Sequence, residues 1–149
     1  MTLTPVRINP DRLWQSLMEL AKVGATGRGG VCRLALSDAD KEARDLFAQW
    51  CREAGCSVGV DAVGNMFAQR AGRNAATPAV LTGSHLDTQP NGGRFAGAYG
   101  VFAGLEVLRA LNESGVDTKT PLEVGAWSNE ERHRFAPSNL VSLAFAGTP

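Results

Sequence analysis

The chain has 149 residues, of which 44% are hydrophobic and 20% are charged, and its formal net charge is zero. These values fit one ordinary domain, and the lack of a basic block or acidic tail gives no indication of a nucleic-acid or membrane-surface partner. The first residues lack the apolar core of a signal peptide, and no apolar run approaches the roughly 20 residues that a membrane span needs. We therefore expect a cytoplasmic protein.

The first third of the chain predicts two helices. Asn9 and Pro10 are typical of an N-cap followed by the first helical position, and Gly24 is expected to end this helix. Ser37 is expected to cap a second helix that Gly55 ends.

Two other segments of this region have their own patterns. The glycine-rich segment 24–37 lacks the Gly-Lys-Ser/Thr ending of a phosphate-binding loop, so we interpret it as a surface loop. Residues 56–70 alternate in a β-like pattern on either side of a Val63-Gly64 turn, which predicts a hairpin.

The three cysteines, Cys32, Cys51 and Cys56, are odd in number and have no Cys-x-x-Cys spacing. This pattern favours neither a disulfide framework nor a thiolate zinc site. We expect small buried hydrophobic side chains in a reducing compartment.

The rest of the chain predicts a strand, a helix and a second strand. Apolar residues at 79–84 and 122–128 are typical of strands, and those between Val101 and Gly115 recur at helical spacing. A strand-helix-strand crossover is right-handed and makes the two strands parallel. The fold class is therefore α/β, and the segments that follow the two strands should meet at one edge of the sheet.

Those two segments carry the polar residues of interest. His85 and Asp87 follow the first strand, and Glu130 and Glu131 follow the second. Histidine and carboxylates together suit zinc or manganese, and of two adjacent glutamates one can bind metal while the other serves as general base. The spacing alone leaves two other interpretations open, because Glu-Glu pairs are common on solvated surfaces and a His-x-Asp pair is often purely structural.

Three strings, GSHLDTQPNGGRF, GAYGVFAGLEVLRALNESG and WSNEERHRFAP, closely resemble the hydantoinase/carbamoylase family of metal-dependent amidohydrolases. This family includes N-carbamoyl-L-amino-acid hydrolases, β-ureidopropionases and allantoate amidohydrolases, and it belongs to the wider class of zinc aminopeptidase-like hydrolases. The resemblance implies a three-layer α/β sandwich with a mainly parallel sheet. It also implies hydrolysis of a linear amide or ureido C–N bond, which would release carbon dioxide and ammonia from an N-carbamoyl amino acid.

The same resemblance implies a role for each polar residue. His85 would bind the first of two divalent metal ions (Zn, Mn, Co or Ni), Glu131 would bind the second, and Glu130 would deprotonate the water between them. Asp87 would hold His85 in the tautomer that a metal-bound imidazole requires. The implied partners are a small ureido or carbamoyl substrate and a second copy of the chain in a homodimer.

Three residues depart from the family pattern. Ala96 replaces the aspartate that bridges the two metals, and an alanine can bind neither. Arg132 and His133 stand where the family usually has glycine and serine. Arg132 could pair with Glu131 in place of a metal, and His133 is either a substitute ligand or, as we favour, an exposed loop histidine.

The resemblance also implies a longer protein, because family members continue beyond the matching region for more than another 149 residues. The further residues supply two more histidine ligands and a lid domain for dimerisation and substrate binding. We therefore expect residues 1–149 to form the N-terminal part of the catalytic domain, without the lid. With one protein ligand left per metal, we expect this chain neither to retain two metals nor to turn over substrate. The alternative, favoured by Ala96 and Arg132, is a non-catalytic remnant or interaction module of the same fold.

Overall fold

The computed structural model describes residues 5–136 and 139–147. Its helices are α1 (Pro10–Leu20), α2 (Asp38–Glu53), α3 (Ala98–Glu113) and α4 (Leu140–Phe145), and its strands are β1 (Ser57–Val60), β2 (Met66–Arg70), β3 (Val80–His85) and β4 (Leu122–Trp127). The ends of the expected domain 1–149, and Pro137 in the third resembling string, lie outside the described residues. No helix in the described ranges has the length and apolar character to cross a membrane.

The first two helices begin where the sequence predicts, because their N-caps form the expected hydrogen bonds. The Asn9 side chain accepts from the main-chain N–H of Arg12 at 3.0 Å, and Ser37 Oγ accepts from that of Asp40 at 3.2 Å. Helix α1 ends at Leu20, earlier than predicted, and the chain continues in turns.

The four strands form one mixed sheet in the order β1-β2-β4-β3. The predicted hairpin is the antiparallel pair β1-β2, and the predicted crossover gives the parallel pair β3-β4, while β2 and β4 are antiparallel. The α/β fold class is confirmed, but the sheet of the described residues is not mainly parallel. The short turn between β1 and β2 reverses the chain and makes this pair antiparallel, whereas α3 provides the long crossover that the parallel pair β3-β4 needs.

One face of the sheet packs against α2 and α3, and α1 packs against α3. Ala68, Val124 and Ala126 alternate toward this face and are fully buried, in one core with Phe47 of α2 and Phe102 of α3. The two phenylalanine rings meet edge to face, with centroids 6.0 Å apart. This core fixes the position of β3 and β4, the strands that lead into the polar segments.

Helix α4 lies on the opposite face and was not predicted from the sequence. The ring centroid of Phe145 is 5.4 Å from that of Phe67 and 5.0 Å from that of Trp127. The sheet therefore has helices on both faces, as a three-layer arrangement requires. A helix of this length contains too few residues to show helical periodicity in the sequence.

The glycine-rich segment 24–37 is the predicted surface loop only in its first half, where residues 27–29 are exposed. Val31 and Arg33 in its second half are fully buried, and Val31 forms bridges to Ala25 and Gly92. The main-chain N–H and C=O of Val31 both bond to Gly92, which ties the segment to the chain that follows β3. Glycine permits this close approach, since a Cβ at Gly30 would lie 2.9 Å from the carbonyl oxygen of Gly92.

The three cysteines are free thiols. Cys51 and Cys56 are buried, as predicted, whereas Cys32 is half-buried. Burial raises the pKa of both the Cys51 and the Cys56 thiol, so these two side chains behave as hydrophobic groups.

Candidate metal centre

The polar segments after β3 and β4 meet at one edge of the sheet. His85, the last residue of β3, is opposite Trp127, the last residue of β4, in the parallel register. The chain beyond both strands therefore leaves the sheet at the same level. One ligand atom each from His85, Glu130 and Glu131 lies within 4.8 Å of the others.

Two contacts determine how the imidazole of His85 is presented. Its Nδ1 lies 2.9 Å from the main-chain carbonyl oxygen of Asp87. Because a carbonyl can only accept, Nδ1 is the donor in this contact. The other ring nitrogen, Nε2, lies 3.5 Å from Oε2 of the Glu130 carboxylate.

The carboxylate of Asp87 joins the two segments. It is 3% exposed and accepts from the main-chain N–H groups of Glu130, at 3.3 Å, and Glu131, at 3.1 Å. Its distance from His85 Nδ1 is 3.7 Å, so the short contact from Asp87 to the imidazole comes from the main chain. Asp87 thus holds His85 through its carbonyl and the glutamate pair through its side chain.

Three neighbouring residues complete an open cleft of about 610 Å³, which Glu130, Glu131 and Asn139 also line. Gln89 Nε2 donates to Glu131 Oε2 at 2.8 Å. His133 is exposed, with Nδ1 3.2 Å from the carbonyl of Glu131, and is outside the cluster of potential ligands. Arg132 is exposed too, and within the described part of the chain it forms no ion pair with Glu131.

The start of α3 lies against the ring atoms Cε1, Nε2 and Cδ2 of His85. A Cβ at Gly97 would lie 2.4–2.6 Å from three atoms of the imidazole, so only glycine fits here. A glycine immediately before a helix is a sequence signal that could have predicted this contact. The preceding residue is Ala96, whose methyl group has no lone pair to donate.

Asn65, the residue before β2, contacts the chain that leads from β4 to the glutamate pair. Its side chain is fully buried, accepts from the N–H of Ser128 at 3.2 Å, and donates to Asp61 at 2.8 Å. Arg44 of α2 also donates to the Ser128 hydroxyl at 2.8 Å. The turn between β1 and β2 therefore fixes the point where the chain leaves β4.

Arg33 lies beneath the segment that follows β3, a position that the sequence did not reveal. The side-chain Nε of Arg33 donates to the carbonyl of Leu86 at 3.0 Å, and the main-chain N–H of Arg33 donates to Thr88 Oγ1 at 2.8 Å. Burial lowers the pKa of Arg33, and the negative charges of Asp40 and Asp87 oppose that shift. A buried cation thus supports the loop that carries His85 and Asp87.

The described residues do not fit two metal ions. The cluster contains three donor atoms, whereas each ion of a stable site needs three or four ligands. Two ions about 3.5–4 Å apart also require an anionic group between them, and the side chain next to Gly97 is the methyl of Ala96. The donor set is sufficient for one ion.

With this fold and donor set in place, comparison with known proteins identifies the class. The sequence matches the family described as Peptidase family M28 over residues 65–146, more than half of the chain. The chain belongs to this family.

More specific similarities are to hydantoinase/carbamoylase proteins. The chain is 54% identical over 141 residues to N-carbamoyl-L-amino-acid amidohydrolase of Rhizobium meliloti, covering 95% of this chain and 34% of that protein. It is 37% identical over 145 residues to ureidoglycolate hydrolase of Oryza sativa subsp. japonica, covering 97% and 30%. The crystal structure of a hydantoinase/carbamoylase family amidase from Burkholderia ambifaria superposes with a TM-score of 0.95 at 60% identity, covering 97% of this chain and 36% of that one.

These similarities confirm the resemblance predicted from the three sequence strings. The chain spans about a third of the length of the curated relatives that it matches.

Proposed function

We propose that this chain is the N-terminal part of the catalytic domain of a metal-dependent hydrolase that cleaves linear amide or ureido C–N bonds. The observation that carries the proposal is the convergence of His85 with Glu130 and Glu131 at the carboxyl ends of β3 and β4. The similarity to N-carbamoyl-L-amino-acid amidohydrolase and ureidoglycolate hydrolase supports a small ureido or carbamoyl substrate. Zinc, manganese, cobalt and nickel all accept such nitrogen and oxygen donors.

The proposal assigns a role to each residue in a hydrolase that has an aspartate at position 96. His85 and Glu131 are metal ligands, and Glu130 is the general base that takes a proton from the attacking water. Asp87 positions all three, because its carbonyl holds the imidazole and its carboxylate holds the main chain of both glutamates. The overall reaction of an N-carbamoyl amino acid with water would yield the amino acid, carbon dioxide and ammonia.

For the chain with Ala96 we propose that this reaction does not occur, because its described residues do not provide the ligands for two ions. Ala96 therefore supports a second candidate, a non-catalytic remnant or interaction module of the same fold. The free thiols support a reducing, cytoplasmic location. Homodimerisation through a lid domain remains part of the proposal for the longer hydrolase.

A chimera tests the proposed reaction. The matching third of the Rhizobium meliloti amidohydrolase is replaced by this chain, with or without Ala96→Asp, and hydrolysis of N-carbamoyl-L-amino acids is measured by ammonia release. We expect turnover only with Ala96→Asp, and its loss when Glu130→Gln is added, since the amide cannot accept the proton. Absence of turnover in every chimera, while the parent enzyme remains active, would reject the proposed hydrolase function.

The 149-residue chain alone is the second test. We expect no ammonia release, and no gain from Ala96→Asp alone, because further ligands are still lacking. Turnover by the unmodified chain that Glu130→Gln removes would contradict the inactive state and exclude the second candidate.

A further inference from the structure

Arg33 carries a charge that is buried without a carboxylate in contact with it. Its side chain is fully buried, and its Nη2 has no hydrogen-bond partner within the described residues. None of the ion pairs formed in that part of the chain includes it. Burial of a charge without a partner is unfavourable, and an apolar side chain would avoid this cost. Core packing therefore does not account for an arginine at this position.

The guanidinium joins two segments that are distant in the sequence. Its Nη1 donates to the carbonyl of Val23, in the turns that follow α1, at 3.1 Å, and its Nε donates to the carbonyl of Leu86 at 3.0 Å. A guanidinium is planar and its donors point in fixed directions, so one side chain sets the relative position of both carbonyls. Arg33 thus connects the end of α1 to the residue between His85 and Asp87.

The main chain of Arg33 adds a second attachment to the same loop. Its N–H donates to Thr88 Oγ1 at 2.8 Å, and its carbonyl accepts from the N–H of Thr88, also at 2.8 Å. Thr88 is 1% exposed, so water does not compete for these hydrogen bonds. Arg33 is therefore bonded to the residues on both sides of Asp87.

We propose that Arg33 is a positioning residue of this site, which holds Leu86 and Thr88 so that the Asp87 carboxylate accepts from the main-chain N–H groups of Glu130 and Glu131. The inference rests on the proposed function for the chemistry of the glutamate pair. It adds a residue that acts on this pair only through Asp87.

The role requires the shape of arginine as well as its charge. Burial lowers the pKa of Arg33, and the negative charges of Asp40 and Asp87 oppose that shift and partly compensate the buried cation. A lysine would preserve this charge. Its single ammonium group, however, cannot reproduce the fixed directions in which Nε and Nη1 donate.

The expected effect on the proposed reaction concerns kcat. A general base is effective only within reach of the proton that it takes, and a small displacement of such a group lowers the rate strongly. Asp87 fixes the main chain at Glu130 and Glu131, so a loosened loop would give both carboxylates a wider range of positions. Substrate binding would change little, because Arg33 itself is fully buried.

Hydrogen exchange of the complete 149-residue chain, resolved to single amides by NMR, tests the proposal without requiring activity. The amides of Glu130 and Glu131 report on the contact with Asp87, and those of Val124 and Ala126 in β4 report on opening of the sheet. In Arg33→Lys we expect exchange at the two glutamates to accelerate by about tenfold or more relative to the β4 amides, because a hydrogen bond to a charged group is weakened.

A matched control makes the same change elsewhere. Arg109 of α3 is half-buried, donates to Ser16 Oγ at 3.1 Å and lies over the Trp50 ring. In Arg109→Lys a loss of stability should affect the glutamate and β4 amides alike. Circular dichroism verifies that each variant is folded.

Thr88→Val is a second variant, which weakens the same link and leaves the buried charge in place. It removes the Oγ1 acceptor at nearly constant volume, and we expect a smaller rise that is again specific to the glutamate amides. If Arg33→Lys did not fold, unchanged glutamate amides in Thr88→Val would be enough to reject the proposal.

The chimera with Ala96→Asp measures the effect on turnover. We expect added Arg33→Lys to lower kcat by about tenfold or more with little change in KM, since the site and not the substrate contact is altered. Unchanged glutamate amides in Arg33→Lys, a rise no larger than that in β4, or an equal specific rise in Arg109→Lys would overturn the inference.

Failure of the hydrolase and failure of this inference give different results. Inactive chimeras together with the specific change in exchange would reject only the hydrolase. An active chimera that Arg33→Lys leaves unchanged would reject only the role of Arg33.

Discussion

The position of the His85 ring depends on the absence of a side chain at Gly97. Its φ is +68°, a conformation that L side chains rarely adopt, and a Cβ would overlap the His85 ring. The conformation and the space both require glycine at this position. The start of α3 can therefore lie directly against the imidazole.

We expect Gly97→Ala to displace the His85 ring and to lower the free energy of unfolding. Gly115→Ala is the matched control, because φ at Gly115 is +61° but no atom lies within 4 Å of its Cβ position. The left-handed backbone alone should cost about 1–2 kcal/mol in the control, and Gly97→Ala should cost more. Urea unfolding and the NMR signals of the His85 ring measure the two effects. Equal losses with unchanged ring signals would contradict this account.

At the scale of elements, α1 and α3 are joined by a buried carboxylate. Glu106 of α3 is 1% exposed and accepts from the main-chain N–H of Asn9 at 2.8 Å. Arg12 of α1 donates to both of its carboxylate oxygens at 2.8 Å and also pairs with the exposed Glu113. The pair with Glu106 compensates a charge removed from water, whereas the pair with Glu113 remains solvated.

Arg12→Ala should therefore destabilise the chain by about 3 kcal/mol, because Glu106 would remain buried without its cation. Glu113→Ala should have a much smaller effect, since water screens that pair. The free energy of unfolding in urea measures both variants, with helix content followed by circular dichroism. A loss in Glu113→Ala as large as that in Arg12→Ala would show that the exposed pair, rather than the buried one, joins the helices.

At the scale of the whole molecule, the sheet has an unpaired strand edge. Within the described residues β3 pairs only with β4, and Val80 at its start is 61% exposed. The open edge offers main-chain groups to the strands of other molecules, and an apolar side chain there does nothing to prevent pairing. We therefore expect this chain to self-associate.

Val80→Lys should reduce self-association, because a charge on an edge strand opposes pairing with a second molecule. Val107→Lys adds the same charge at a residue of α3 that is 45% exposed and is not part of a strand. Light scattering as a function of concentration compares the two variants with the unmodified chain. An equal reduction of self-association in both variants would attribute the effect to net charge. If the unmodified chain were a soluble monomer that unfolds cooperatively, the expected self-association would be wrong.

Local sequence patterns determined much of this structure. Asn9 and Ser37 cap their helices because a cap depends on hydrogen bonds within a few residues. The turn before Asn65 makes the hairpin, and the crossover through α3 makes β3 and β4 parallel. Because parallel strands end at one edge of a sheet, the parallel pair β3-β4 predicted that His85 lies close to Glu130 and Glu131. The sequence also showed that Ala96 provides no donor atom where the family has an aspartate.

Only the tertiary structure decided how these residues are held. No local pattern indicates that the Asp87 carboxylate accepts from the glutamate N–H groups, that Arg33 is buried under the loop, or that Gly97 touches His85. The sheet order, which puts β4 between β2 and β3, and the packing of Phe145 were also absent from the patterns. The physical reason is that such contacts join residues distant in the chain, and their distances are fixed by packing of the whole core. The sequence alone determined which chemical groups meet, and the fold determined their distances and the contacts that hold them.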